Sequence, residues 1–341
     1  TQKPPYAILS GLVGSEMCIR DRYDDSIKDL SIYLQDEPEG KHAKEATFYI
    51  ARGYLESKQY DSAGSSFATL AKGEGPIAAR SCLWQARVFT RSVKNYDKAA
   101  EILTDALERF SESDIVTDIR YDLANSLMGK KSPDWKSALT LLIEVGKDNE
   151  FSQLAELLNQ KSVCQHRLAD YESSLASTVE FIKDFSENRL FQDALFLKAE
   201  NLFLLKRTDE AAESYNKFLE SGQSQSNIMI AQYRMAQIYH EQGQWEKCLS
   251  LTGSILENKP KDKLFNQLKF IVGDSFYRLN KWEASIVLLK EFVDSNSSDE
   301  GINKVANMDT ALMQLSVAHE RLGDICLLYT SPSPRDQRGS R

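Results

Sequence analysis

The chain has 341 residues, 42% of them hydrophobic and 27% charged, and its net charge is −8. This acidic balance argues against nucleic acid or an anionic membrane surface as the main partner. The chain is too long for one ordinary hydrophobic core, yet no linker divides it. A repeat architecture, in which each unit packs mainly on its neighbours, is consistent with both observations.

A four-residue motif recurs along the chain at steps of 36 to 39 residues. It consists of an aromatic residue, an acidic or polar one, a variable one and a small one. The motif begins at Tyr23, Tyr60, Tyr96, Trp135, Tyr171, Thr208, Trp245 and Trp282, where Thr208 takes the place of the aromatic residue. A period in this range indicates stacked supersecondary units.

A second small residue, here called position 0, lies 9 to 11 residues before each motif or expected motif. Position 0 is occupied by Ala51, Ala86, Ala124, Ser162, Ala199, Ala236, Gly273 and Ser316. Two small residues in apolar stretches of helical period are what two closely crossing helices require. We therefore expect helical hairpins whose second helix begins at the motif. The prediction is one second helix at 23–36, seven full hairpins to about residue 295, and a final first helix at 302–323.

These features make the chain similar to the tetratricopeptide repeat family, and prolines at 38 and 260 near the ends of second helices match its pattern. The resemblance covers residues 23–325 and implies an all-α fold. The implied architecture is a right-handed superhelical solenoid of stacked helical hairpins, with a period of about 37 residues, about seven full repeats and two partial ones. Cys248, in place of alanine, departs from the pattern.

The unit is longer than the usual repeat and its second helices are rich in aromatic residues, as at 181–185 and 215–219. In this respect the chain resembles bacterial envelope-assembly lipoproteins and Tol-Pal accessory proteins. That resemblance implies a periplasmic or envelope location rather than the cytoplasm.

Both ends of the chain resemble a translated sequencing adaptor. Residues 12–21 and 326–335 can be encoded by opposite strands of one short DNA. We therefore expect 1–22 and 326–341 to be non-native tails that flank a repeat domain at 23–325. The repeat domain is then expected to be a fragment of a longer protein.

The sequence carries no motif for catalysis, cofactors or metals: it has no GxGxxG, Walker loop, HExxH or GxSxG. Outside the tails, Cys82, Cys164 and Cys248 lie on separate repeats without a CxxC pair. They are expected to be small core residues. The prediction is a protein without enzymatic activity, cofactor or metal.

Positions −3 and +4, counted from position 0, are seven residues apart and share one face of the first helix. Between residues 189 and 280 these positions are aromatic, and they predict a peptide groove formed by Phe196, Phe203, Tyr233, His240, Phe270 and Tyr277. Exposed aromatic residues in a groove suit an extended or helical peptide. The alternative for the inner members is packing against the adjacent helix.

Four arginines form a second candidate site, a basic patch of Arg52, Arg80, Arg87 and Arg91. In an acidic chain such a patch would attract an acidic segment of a partner, and its alternative is a solvated face.

Two functions fit these observations. The first is a non-catalytic scaffold that binds peptide segments of partner proteins in a concave groove, in bacterial envelope assembly. The alternative is a repeat regulatory or sensor segment of a larger enzyme or signalling protein. In either case we expect protein partners, no nucleic acid and no direct membrane insertion of this fragment, and the sequence does not predict an oligomeric state.

The tails are expected to contribute nothing to the fold, since neither contains the repeat motif. A chain of residues 23–325 should keep the far-ultraviolet circular dichroism and the melting temperature of the 341-residue chain. A drop of several degrees on trimming would show that the tails pack natively.

Overall fold

The computed structural model describes residues 19–221, 225–258, 263–296 and 306–323, and within these ranges the chain forms sixteen helices and no strand. The helices are α1 (Ile19–Asp36), α2 (Ala43–Glu56), α3 (Tyr60–Ala71), α4 (Pro76–Ser92), α5 (Tyr96–Arg109), α6 (Val116–Gly129), α7 (Trp135–Val145), α8 (Leu154–Arg167), α9 (Tyr171–Asp184), α10 (Phe191–Leu204), α11 (Thr208–Ser221), α12 (Gln225–Glu241), α13 (Trp245–Asn258), α14 (Lys263–Arg278), α15 (Trp282–Asn296) and α16 (Met308–Arg321).

The predicted helical hairpins are confirmed. Seven helices begin at the first residue of a motif, and each is preceded by a first helix in a hairpin. Two predicted starts differ. Helix α1 begins at Ile19 rather than residue 23, because residues 19–22 contain no glycine or proline that would stop a helix. Helix α16 begins at Met308 rather than residue 302, after Asn307 in a left-handed conformation that a helix cannot contain. Residues 302–305 lie outside the described ranges.

The turns within hairpins share one backbone conformation. In six of the seven, the residue two positions before the motif has a positive φ: Lys58, Lys94, Ala169, Lys206, Gly243 and Asn280. The seventh turn has Pro133 at that position, and its ring fixes φ near −65°. This turn therefore needs its extra residues, and Asp134 then caps α7 by accepting a hydrogen bond from the Ser137 amide at 3.0 Å.

The two helices of a hairpin meet at their small residues. The hydroxyl of Ser174, the small residue of its motif, donates to the Ser162 carbonyl at 2.8 Å, and Ser285 donates to the Gly273 carbonyl at 2.9 Å. Position 0 is buried in all seven hairpins. Ser316 is only half-buried, because the described residues contain no helix after α16 to cover it.

The described helices fall into two compact units, one ending at Phe185 and the other beginning at Ser186. The sequence did not predict this division. Within each unit, every helix packs on the next along the chain, and first helices also contact one another, as α2 does with α4 and α12 with α14. These contacts between first helices position the side chains that form the candidate site.

Gly273→Ala should destabilise the protein, because a Cβ at this residue would lie 2.8 Å from Leu289 Cδ2 and 3.3 Å from the Leu289 backbone nitrogen. Overpacking of this kind costs about 1 to 3 kcal/mol. Gly253→Ala is the matched control, since nothing lies within 4 Å of a Cβ there and alanine favours the helix interior by about 0.5 to 1 kcal/mol. The urea midpoint of Gly273→Ala should therefore fall and that of Gly253→Ala should rise. A shift in the same direction would mean that the α14–α15 crossing is not close.

Candidate functional site

Successive first helices are joined by side-chain pairs that follow one rule, and we call each pair a rung. Position +1 of one first helix contacts position −2 of the next. The rungs are Arg52 on Trp84, Arg87 with Asp122, Glu200 with Arg234, and Asp274 with Gln314. Between α6 and α8 the equivalent residues are Asn125 and Gln160, and the Oε1 of Gln160 has no hydrogen-bond partner among the described residues. The four rungs lie within the two units, two in each.

The arginines of the predicted basic patch are largely neutralised by nearby carboxylates. Arg80 pairs with Asp114 at 3.1 Å and Arg91 with Glu56 at 3.2 Å. Each of these arginines thus has a carboxylate from a neighbouring hairpin. The patch is therefore not a free positive surface for an acidic partner.

Trp84 is the centre of the arginine cluster. The guanidinium groups of Arg52, Arg87 and Arg91 lie 3.8, 4.6 and 5.8 Å from its ring. Burial lowers the pKa of Arg52. Arg87 also binds Asp122 at 2.5 Å, and burial raises the pKa of that carboxyl despite the ion pair. The cluster therefore joins α2, α4 and α6.

In the second unit, Glu200 on α10 is a shared acceptor for two other helices. It accepts from the hydroxyl of Tyr215 on α11 and from Arg234 Nε on α12, the latter at 3.2 Å. Burial and the nearby Glu200 carboxylate raise the pKa of Tyr215. Arg234 also covers the ring of Phe203 at 4.6 Å. This explains how a hairpin whose motif begins with Thr208 does without an aromatic residue there.

Asp274 is a second shared acceptor and is almost fully buried, with its side chain 3% exposed. Its carboxylate accepts from Gln314 on α16 and lies 2.6 Å from His240 Nε2 on α12. Arg278 lies 3.4 Å away. Burial opposes ionisation of Asp274, but the hydrogen bonds from His240 and Gln314 and the charges of His240 and Arg278 outweigh it, so the pKa is lowered.

A cleft of about 580 Å³ opens between α12 and α14, next to the Asp274 pairs. Its polar wall is mostly carboxamides, from Gln237, Asn266, Gln267, Asn296 and Asn307. Its apolar wall comes from Tyr233, Phe270, Ile271 and Phe292. His240 and Glu241 are the ionisable residues, besides Tyr233, among its described lining. The cleft thus combines neutral hydrogen-bonding groups with aromatic surface.

The predicted aromatic stripe is mostly packing. Phe203, Tyr233 and Phe270 are only 6 to 8% exposed. Phe196 packs on Phe218 of its own hairpin at 5.3 Å between ring centroids. These residues are packed because positions −3 and +4 also face the second helix of the hairpin. Of the six residues, Tyr233, His240 and Phe270 line the cleft.

Position +4 has a regular role in packing against the motif. His240 meets Trp245 edge-on at 5.1 Å, and Tyr277 meets Trp282 in the same way at 5.3 Å. In the first unit His166 does so with Tyr171 at 5.5 Å. The first residue of the motif is therefore aromatic because it covers the end of the preceding helix.

The described residues hold no group of three or more histidine, cysteine, aspartate or glutamate side chains that would bind a metal ion. Cys82, Cys164 and Cys248 are buried as free thiols, and burial raises the pKa of Cys164 to about 12. In the part of the chain that the structure describes, no helix has the length and apolar character to cross a bilayer.

The sequence analysis missed the rungs. Their signal lies in the repeat itself, as polar side chains at position +1 that recur with complementary ones at position −2 of the next unit. Glu200 with Arg234, and Arg87 with Asp122, are pairs of opposite charge at spacings of 34 and 35 residues.

Comparison with known proteins agrees with the hairpin architecture. Residues 193–221 and 230–262, which span α10 to α13, match the family profile described as "Tetratricopeptide repeat". A search of curated proteins gives no match. Among solved structures, PilF of Pseudomonas aeruginosa is similar at 14% identity and a TM-score of 0.50, over 67% of this chain and 97% of its own. PilW, described as a widely conserved type IV pilus biogenesis factor, is similar at 15% identity and a TM-score of 0.50, over 67% of this chain and 99% of its own. At these identities the likeness is one of fold.

Asp274→Asn should flatten the loss of stability in acid. Because the folded-state pKa of Asp274 is lowered, its carboxylate contributes stability above the unfolded carboxyl pKa of about 3.9, and this is lost as pH falls through the lowered value. Asp122→Asn is the matched control of opposite sign. Because the folded-state pKa of Asp122 is raised, its carboxyl group adds stability as pH falls towards 3.9. Removing this group should therefore steepen the loss of folding stability in acid. Urea midpoints between pH 6 and 3 measure both slopes, and equal slopes would contradict the assignment.

Proposed function

We propose that the chain is a tetratricopeptide-repeat protein, as the profile match at residues 193–221 and 230–262 supports, and that it is a non-catalytic scaffold that holds peptide segments of other proteins in the cleft between α12 and α14. Tetratricopeptide repeats are protein-interaction modules, which supports the general role of a scaffold. The cleft supports the more specific role of peptide binding.

The observation that carries this proposal is the composition of the cleft wall. A peptide backbone alternates donors and acceptors without net charge, and carboxamides such as those of Gln237, Asn266 and Asn296 offer both kinds of group. Tyr233 and Phe270 are largely buried and add only a small aromatic surface to this wall. No nucleophile paired with a base lines this wall among the described residues, so the wall suits binding better than catalysis.

For its biological setting we propose a role in assembling the bacterial cell envelope. The support is the long repeat and the aromatic-rich second helices, in which Phe181 and Phe218 are fully buried. PilW, the pilus biogenesis factor, shares the fold with this chain. The alternative setting is a regulatory or sensor segment of a larger enzyme or signalling protein.

The complete reading frame separates the two settings. An export signal followed by a lipidated cysteine supports envelope assembly. A kinase, transferase or DNA-binding domain in the same frame supports the regulatory alternative and would overturn the envelope role.

Asn266→Trp tests the cleft, since the half-buried Asn266 lines it and an indole would occupy part of its volume. Peptides selected against the protein from a displayed library of random nine-residue segments should bind this variant at least tenfold more weakly. Gln232→Trp, on the facing helix α12 but outside the cleft lining, is the control and should bind as the parent does. Circular dichroism checks that both variants fold. Unchanged binding to a folded Asn266→Trp variant would place the interaction surface elsewhere.

A further inference from the structure

Two second helices of the first unit carry exposed apolar side chains that the repeat does not require. Eight residues after the start of the motif, the second helices of the seven hairpins carry Ala68, Thr104, Ile143, Val179, Asn216, Gly253 and Lys290. Ile143 on α7 and Val179 on α9 are the branched aliphatic residues of this series, and they are 46 and 44% exposed. These neighbouring hairpins therefore present apolar surface where the others place small or polar residues.

Val179 lines a shallow groove of about 570 Å³, here called the α9 groove, whose described lining residues all belong to α9. Residues four apart form a row along a helix, and Leu175, Val179 and Lys183 form one such row. Ala176, in the adjacent row, is small and exposed. A groove between two rows accepts a row of side chains from another helix. The shape of this surface therefore fits a helical partner.

The other members of the adjacent row are carboxylates. Glu172, Glu180 and Asp184 line the groove, and Lys183 is the single cation among its described lining residues. None of these four side chains forms an ion pair within the described ranges. Glu180 and Asp184 are four residues apart, a spacing at which like charges on a helix repel each other. The α9 groove thus has an apolar strip and a negative rim that lacks counter-charges.

We propose that the α9 groove is a docking surface for a basic amphipathic helix of another protein. Apolar side chains of that helix pack on Val179 and Ala176, and its lysines or arginines pair with Glu172, Glu180 and Asp184. A second copy of the same groove does not fit, because it would bring like charges together. This surface lies in the first unit and is separate from the cleft between α12 and α14, which lies in the second.

A pair of synthetic peptides tests the class of partner. The probe is a labelled peptide of about 18 residues, long enough to form a helix, with leucines at helical spacing on one face and lysines elsewhere. The matched peptide has glutamate in place of each lysine. Fluorescence anisotropy should show that the lysine peptide binds the 341-residue chain and that the glutamate peptide binds about tenfold more weakly. No binding of the lysine peptide, or equal binding of both, would overturn the proposal.

Substitution of Val179 tests the apolar strip. Val179→Ser should weaken binding of the lysine peptide about fivefold, because it removes apolar contact area. Asn216→Ser, at the same position of α11, is the matched control and should leave the affinity unchanged. Both positions are exposed, so circular dichroism should show the parent helix content in both variants. Unchanged affinity in a folded Val179→Ser variant would remove the strip from the site.

The negative rim is tested by neutralising it. Glu180→Gln/Asp184→Asn should weaken binding about tenfold at low salt and less at high salt, because salt screens exposed charges. Glu108→Gln/Glu112→Gln, which removes the same charge from the hairpin of α5, should have no such effect. Equal losses in the two double variants would show attraction to the acidic chain as a whole and overturn the site.

Two further measurements separate the remaining outcomes. Sedimentation of the protein alone should show no association through the α9 groove. A dimer that Val179→Ser dissociates would make the groove an interface between copies and overturn the proposal. Asn266→Trp, which blocks the cleft, should leave binding of the lysine peptide unchanged. The docking surface on α9 and the proposed function of the cleft can therefore fail independently of each other.

Discussion

The close crossing of the two helices in each hairpin is the constraint on which the rest of the structure depends. At Gly273 no side chain fits, since a Cβ would lie 2.8 Å from Leu289. At Ser162 and Gly273 the carbonyl is near enough to accept a hydroxyl from the opposite helix. Once this crossing is fixed, the side chain one position after the small residue lies at the boundary with the next hairpin, and the side chain two positions before it lies at the boundary with the preceding hairpin. The rungs are thus a consequence of the crossing.

The hairpins could be predicted from the sequence because a close helix crossing admits only a small residue, and this small residue recurs at the same place in every repeat. Ala199 and Ala236 are small for the same reason, and each stands at the same distance from the end of its helix. The start of α16 could not be predicted in this way. It depends on the backbone conformation of one residue, Asn307, and no repeat pattern records a single left-handed residue.

The sequence predicted which candidate-site residues share one face of a helix. It did not predict whether that face is open to solvent or packed against another helix. Tyr233 and Phe270 line the cleft, yet both are largely buried in its wall. The arginines of the first unit looked like a surface for a partner because their carboxylates lie about 35 residues away in the sequence. Opposite charges at that spacing are adjacent only when hairpins stack, so the pairing becomes visible after the fold is known.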